Sequence, residues 1–338
     1  GRAMMQPTAV AGSSAEGDEV VGVAVAPAIP TNSLCSFQPA RMPPARPADC
    51  QCSPCNRYRV LMSPMFGVVC GLIAINYAPY VLWAPRTTIS SMIEVVVFHI
   101  LLALLFASYC QTVFTDAGTV PARWHEAIAN DADLCLRHRL CPKSGLHRPL
   151  RSHFCSVTKR VVLNMDHFCP WVVNTVGFYN RKFFTLFLIY TLLTTAWVIL
   201  TFVPRFMDLD LLMVHRSLRW SPGRSMVALM AMLTDGTLAL MLVFFGGFHV
   251  RMVLLNETTI EGYSPHFDVG ARRNWEQVFG ENPWLWFVPL WGSGPAGNGV
   301  QWPMQRIVSG RRSSLGSVED GLADSAKLLD LHSSSEEE

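Results

Sequence analysis

Charge is scarce in this chain of 338 residues. Asp, Glu, Lys and Arg make up 15% of it, against about 25% for an ordinary soluble domain. The 27 basic and 25 acidic residues nearly cancel, leaving a net +2, so no polyanion partner is implied and nucleic acid is not an expected one. Half of the residues are hydrophobic and the mean hydropathy is +0.26, which excludes a disordered or collagenous chain. The apolar residues are clumped, which argues against a soluble enzyme. Cysteine stops early: of ten, at 35, 50, 52, 55, 70, 110, 135, 141, 155 and 169, none follows Cys169. No secretory signal is expected, since residues 1–56 lack an apolar run with a cleavage site. A disulfide framework needs an oxidising compartment, and the topology below puts most of these thiols in the cytosol. No internal repeat is visible, which disfavours transporters built from inverted repeats.

What is present is a series of long apolar runs. Residues 1–56 are rich in Ala, Pro and Ser and read as a disordered cytosolic arm. Cys50, Cys52 and Cys55 begin like a zinc ribbon, but no second pair follows. They read as mobile thiols, with S-acylation the alternative. Apolar runs follow at about 60–84, 92–114, 183–204 and 227–253, each long enough for the ~20 residues of a spanning helix. Tyr80 and Trp83 make an interfacial belt at the end of the first. Asp235 falls inside the fourth and is expected to face the bundle near its non-cytosolic end. The 115–182 connection holds ten Lys and Arg residues, the 85–91 turn only Arg86, and the 205–226 loop four. The positive-inside rule then places both termini and the 115–182 loop in the cytosol. The expected organisation is an arm at 1–56, two spans within 57–114, a cytosolic loop domain at 115–182, two spans within 183–255, a small cytosolic segment at 256–303 and a disordered tail at 304–338. The tail carries Arg311-Arg312-Ser313, a basophilic-kinase pattern, and Asp324 to Leu329, shaped like a dileucine sorting signal. The fold class is thus an all-α membrane protein of four transmembrane helices, with a loop domain between helices two and three.

Just before the third span the loop reads Asp166-His167-Phe168-Cys169-Pro170-Trp171. A cysteine attacks as its thiolate, and a neighbouring imidazole lowers the thiol pKa. A carboxylate beside the imidazole fixes its tautomer and stabilises the imidazolium. The three residue types suit an acyl-transfer site at a membrane face. A polar loop with a half-buried cysteine is the plainer alternative.

The surroundings narrow this choice. Arg148 to Val157, Asn164 to Val172 and Asn174 to Asn180 resemble the cysteine-rich domain of the DHHC protein S-acyltransferases, or palmitoyltransferases. Thr115-Asp116-Ala117-Gly118 is similar to that family's Asp-Pro-Gly motif, with Ala117 for Pro. Thr258-Thr259-Ile260-Glu261 matches its TTxE motif, and Phe267 to Gly280 resembles its C-terminal motif. The resemblance runs over roughly 58–303, with the motifs in order between the spans. It implies acyl-CoA (palmitoyl-CoA) as co-substrate and a two-step reaction in which Cys169 is acylated and passes the chain to a protein thiol. In that scheme Cys169 is the nucleophile, His167 the base and Asp166 the orienting acid. Thr258 and Thr259 support the Asp or its loop, and Asn274 pins the C-terminal motif to the helix ends. Arg148 and Arg151 suit coenzyme A phosphates by charge, or serve only the positive-inside bias. The implied partners are the bilayer and proteins with cytosolic juxtamembrane cysteines. The implied setting is a multi-pass protein of the endomembrane system, with Golgi, ER and plasma membrane left open.

The family holds this loop with two zinc ions, each on three Cys and one His. The aligned positions here are Cys141, Ser144, Phe154 and Val161 for the first ion, and Cys155, Thr158, Phe168 and Thr175 for the second. Only Cys141 and Cys155 remain as ligand types, so zinc is not expected at the family sites and a hydrophobic cluster is expected instead. One irregular site drawn from Cys135, His138, Cys141, His147, His153 and Cys155 is the alternative. Loss of the ligands also admits a catalytically inactive scaffold or partner subunit, against which stands the survival of Asp166, His167 and Cys169.

Overall fold

The computed structural model describes residues 63–83, 88–211, 221–290, 292 and 294–305, the side chains of 205–211 aside. The N-terminal arm with Cys35, Cys50, Cys52 and Cys55, and the tail with its two short motifs, lie outside the described residues. Among the described residues, four helices are long and apolar enough to cross a membrane. The first, α1 (Pro64–Tyr77), continues as a π-helical stretch, Ala78–Trp83. The others are α2 (Ile89–Phe114), α5 (Arg181–Leu211, apolar to Pro204) and α6 (Pro222–Leu254). The observed spans begin and end within a few residues of the apolar runs, except that α6 starts five residues earlier than its run.

Helix α2 begins at a capping box in which the Thr88 side chain accepts from Ser91 N–H and the Ser91 hydroxyl accepts from Thr88 N–H. Hydroxyls within the spans return to their own backbone: Ser108, Thr112, Thr191, Thr194, Thr201 and Thr234 each donate to the carbonyl four residues earlier. This satisfies polar groups where no water is available. The outer faces carry exposed Ile93, Val96, Ile100, Leu200, Leu233, Leu240 and Phe244, fit for lipid. Asp235 is instead buried, at 2% exposure, on the bundle face of α6.

Between α2 and α5 lie two short helices, α3 (Ala122–Asn130) and α4 (Ala132–Arg137), and three antiparallel hairpins. The strands are β1 (Leu140–Cys141) with β2 (Leu146–His147), β3 (Ser152–Cys155) with β4 (Arg160–Leu163), and β5 (His167–Cys169) with β6 (Asn174–Val176). The membrane part is all-helical, and the loop adds these hairpins. Asn174 ties the loop to the bundle: its Nδ2 lies 2.9–3.2 Å from the carbonyls of Thr112, Val113 and Thr115, which the end of α2 leaves unpaired. Asn180 Nδ2 donates to the carbonyls of Thr112 and Thr175. At Gly177 the loop passes so close to its neighbours that a Cβ would stand 2.6 Å from the Ala117 carbonyl.

After α6 come α7 (Ala271–Phe279) and a 3-10 turn, Pro283–Leu285. Lys182 Nζ donates to the carbonyls of Leu285 and Leu290 at 2.8 and 2.7 Å, and Tyr190 donates to the carbonyl of Phe287. Tyr190 lies about two and a half turns into α5, so this segment packs along the side of that helix. Trp284, Phe287 and Leu290 of this segment are exposed.

Candidate active site

The end of α2, the start of α5 and the end of α6 meet on one side of the bundle, and β5 is held there. Alternation along β5 sends His167 and Cys169 to one face and Phe168 to the other. On the first face, Cys169 is buried in a cluster drawn from every span: Val69 of α1, Tyr109 and Val113 of α2, Phe184 and Leu188 of α5 and Leu242 of α6. The thiol thus sits at the mouth of an apolar bundle interior.

The His167 ring is fixed from three sides. Its Nδ1 is 2.7 Å from Asp166 Oδ2. The Phe184 ring stands edge-on at 5.2 Å between centroids, and the His249 ring of α6 lies at 5.8 Å. Asp166 is fully buried. Its Oδ1 accepts from Thr259 N–H at 2.8 Å, its backbone carbonyl from the Thr259 hydroxyl, and its backbone N–H donates to Val176. Burial pushes the Asp166 carboxyl up, but the His167 hydrogen bond, the Arg181 charge and the Thr259 N–H outweigh it and hold it below the usual carboxylate range. Burial likewise disfavours imidazolium at His167, yet the Asp166 contact and the nearby Cys169 sulfur raise its pKa above the ordinary 6.5. Carboxylate, imidazole and thiol in series form an arrangement that draws a proton from sulfur and holds it on nitrogen.

The TTxE residues divide their work. Thr259 grips Asp166, while the Thr258 hydroxyl accepts from Glu261 N–H at 3.1 Å and shapes the turn. Asn274 Nδ2 donates to the carbonyl of Leu254, the last residue of α6, at 2.8 Å, and to Asp268 Oδ1. Arg148 is half-buried, its Nη1 bonded to the Ser152 carbonyl and beside His153 Nδ1.

Arg151 departs from its expected place at coenzyme A phosphates. Its Nε donates to Glu261 at 2.8 Å, Nη1 to Asn256 Oδ1 and Nη2 to the Asn256 carbonyl. The guanidinium is sandwiched between the Phe267 and Trp302 rings, each centred 4.5 Å away, and its side chain is 1% exposed. Each of its three nitrogens donates inside the protein, so it clamps the loop to the C-terminal segment and is withdrawn as a phosphate contact. His153 joins that clamp through Glu261 Oε1 at 3.1 Å.

Three positions that brace or border the site escaped sequence reasoning. Asn174 lay in a quoted motif without a role. Arg181 is one of the ten basic residues of the 115–182 connection, yet it is 2% exposed. His249 hid in an apolar run and is 3% exposed; a lone histidine in a spanning segment was the available signal.

Residues 135–266 match the family model described as DHHC palmitoyltransferase. A protein of Arabidopsis thaliana named probable protein S-acyltransferase 13 is 35% identical over 271 residues, 70% of this chain and 87% of the relative. Probable protein S-acyltransferase 14 of the same plant is 33% identical over 268 residues, 70% and 86% of the two chains. Human palmitoyltransferase ZDHHC2 is 28% identical over 285 residues, 70% and 72% of the two. The chain belongs to the DHHC palmitoyltransferase family. It is an integral membrane member, and its DHHC domain is spelled Asp166-His167-Phe168-Cys169.

The positions at which the resemblance implies zinc do not fit that metal in this DHHC domain. Phe154 and Val161 are cross-strand partners in β3 and β4 and pack with Cys141, Trp124, Leu163 and Phe178. Phe168, on the far face of β5, packs against Cys155, Ala117, Val162 and Met165. The Cys155 sulfur accepts from Thr158 N–H at 3.5 Å and from the Thr175 hydroxyl at 3.3 Å. Thiol, hydroxyl and phenyl groups replace a tetrahedral set of thiolates and imidazole. Of the alternative irregular set, Cys135 and His147 meet, at 3.5 Å. Cys141 and Cys155 belong to the two separate clusters just described, His153 to the Glu261 clamp, and His138 stacks its ring edge on Trp124. No group of three or more potential ligands exists among the described residues.

Proposed function

We propose that this protein transfers a long-chain acyl group, palmitoyl in type, from acyl-CoA to cysteine thiols of membrane-associated proteins through a thioester on Cys169. His167 takes the Cys169 proton, and the thiolate attacks the acyl-CoA carbonyl. The carbon–sulfur bond to coenzyme A breaks, and the departing sulfur takes the proton from His167. A substrate thiol then gives its proton to His167 and attacks the Cys169 thioester. Cys169 leaves as thiolate and regains the proton. Asp166 holds Nδ1 protonated and stabilises the imidazolium between the two transfers, and Thr259 holds Asp166.

The observation that carries this reading is the place of Cys169. It is hydrogen-bonded to His167 and belongs to a buried cluster drawn from all four spans. A buried acyl chain gains ~0.8 kcal/mol per CH₂, so a thiol at the mouth of the bundle presents the carbonyl to water-borne coenzyme A while the tail enters the interior. Substrate cysteines are then those that reach the same face, close to the bilayer and in the cytosol. The basic 115–182 loop supports a cytosolic site with both termini on that side, and the setting proposed with it is the endomembrane system. The surviving Asp166–His167 contact speaks against an inactive scaffold. The two apolar clusters support a loop that folds without zinc at the family positions. Labelling with a clickable palmitate tests the function. A hydroxylamine-sensitive label on the wild type that vanishes in Cys169→Ser is expected, and an unlabelled, well-folded wild type would overturn it. Two zinc ions per chain by elemental analysis would overturn the metal-free reading.

A further inference from the structure

Arg181, the first residue of α5, places a guanidinium in the interior directly behind the acyl-transfer site. Its Nη2 donates to the Glu257 carbonyl, and its Nη1 is buried with no hydrogen-bond partner. A buried, half-unpaired cation is costly, and nothing in the fold of α5 requires one at its first turn, where a positive charge also opposes the helix dipole. What the position offers is nearness to the carboxylate. Two residues past Glu257, Thr259 grips Asp166 through its N–H and its hydroxyl. Arg181 and Asp166 therefore hold opposite ends of one three-residue segment, and the Arg181 charge acts on Asp166.

We propose that Arg181 is a positioning residue of the reaction, keeping Asp166 an anion and fixing the 257–259 segment that aims it at His167. This role rests on the acyl-transfer reading above. The groups facing Asp166 are few. His167 and Cys169 come from β5, Arg181 from α5 and His249 from α6, while Glu257 and Glu261 flank Thr259. Glu257 is occupied by Arg251 at 3.0 Å, and Glu261 by Arg151 and His153. The His249 ring stands among the Phe184, Phe245 and Phe248 rings, so it is poorly placed to supply charge. Arg181 is thus the remaining cation that can offset Asp166 when His167 is neutral. Without it, Asp166 takes up a proton at higher pH, and His167 loses its counter-ion and becomes a poorer acceptor for the Cys169 proton.

The test reads the thiolate without acyl transfer. Full-length protein in detergent is alkylated with iodoacetamide across a pH series, and the rate at the Cys169 peptide is followed by mass spectrometry. Arg181→Met is expected to move the half-maximal pH upward by about one unit, roughly tenfold slower alkylation on the acid side, while Arg181→Lys stays near wild type. An Arg181→Met profile that is lower but parallel to wild type would overturn the proposal, since loss of a merely structural contact scales the rate at every pH. Should Arg181→Met fail to melt cooperatively, Arg181→Gln takes its place. A lysine variant displaced as far as the neutral one would also overturn the proposal. Absence of acyl labelling in a wild type with the expected alkylation profiles would instead refute the acyl-transfer reading.

Discussion

Replacing Asp166 with Asn removes one charge and almost no volume, and the structure dictates why this is harmful. The two carboxylate oxygens each accept from a different donor, Oδ1 from Thr259 N–H and Oδ2 from His167 Nδ1. An Asn amide has one oxygen. With the oxygen toward Thr259, its NH₂ meets Nδ1, the imidazole must carry its proton on Nε2, and that nitrogen no longer accepts from Cys169. With the oxygen toward His167, the NH₂ faces the Thr259 N–H, a buried mismatch costing about 1–3 kcal/mol. Either way the imidazolium loses its counter-ion. Loss of general-base assistance is worth ~10²–10⁴ in rate, or about 3–5 kcal/mol on the barrier at 1.36 kcal/mol per tenfold. The assay is the initial rate of hydroxylamine-sensitive autoacylation in purified Asp166→Asn, with thermal melting to show that the protein is folded. A folded variant within threefold of wild type would refute the role assigned to Asp166.

Restoring the family spelling by Phe168→His is expected to lower stability by about 1–3 kcal/mol, because the imidazole would enter the cluster of Cys155, Val162 and Met165. No zinc should be gained, and elemental analysis checks this. Asn174→Ala strips a shared donor from three carbonyls at the end of α2 and should cost about 1–3 kcal/mol, read as faster hydrogen exchange where the loop joins α2. Gly177→Ala puts a methyl 2.6 Å from the Ala117 carbonyl and is expected to reduce the yield of folded protein. For pH, His167 has a raised pKa, so the stability it adds is complete below 6.5 and disappears as pH climbs through the folded value. Melting temperatures of the wild type should therefore fall more steeply from about pH 7 to pH 10 than those of His167→Gln. Equal slopes would contradict the shift.

The spans were legible in the sequence because apolar length alone decides them. The Asp166-His167-Cys169 grouping was legible because three reactive residue types stand within four positions. The register of β5 and β6 was not, since a three-residue strand has too little pattern to mark. It is this register that turns Phe168 away from the thiol and into the packing around Cys155. Basic residues misled most. Arg151, Arg181 and Lys182 count toward the positive-inside bias, yet all three are buried, because their acceptors lie 76 to 110 residues away in sequence. Composition records that a charge exists; only the packing of α6 and the C-terminal segment onto the loop shows whether it meets solvent.

The central claim is that Cys169 carries the acyl group between donor and acceptor. The most direct measurement is peptide mapping of purified protein after brief exposure to palmitoyl-CoA, followed by a chase with a substrate thiol. The account predicts one hydroxylamine-labile acyl group on the Cys169 peptide, lost in step with acylation of the acceptor. An acyl group on another cysteine that chases while Cys169 stays unmodified would contradict it.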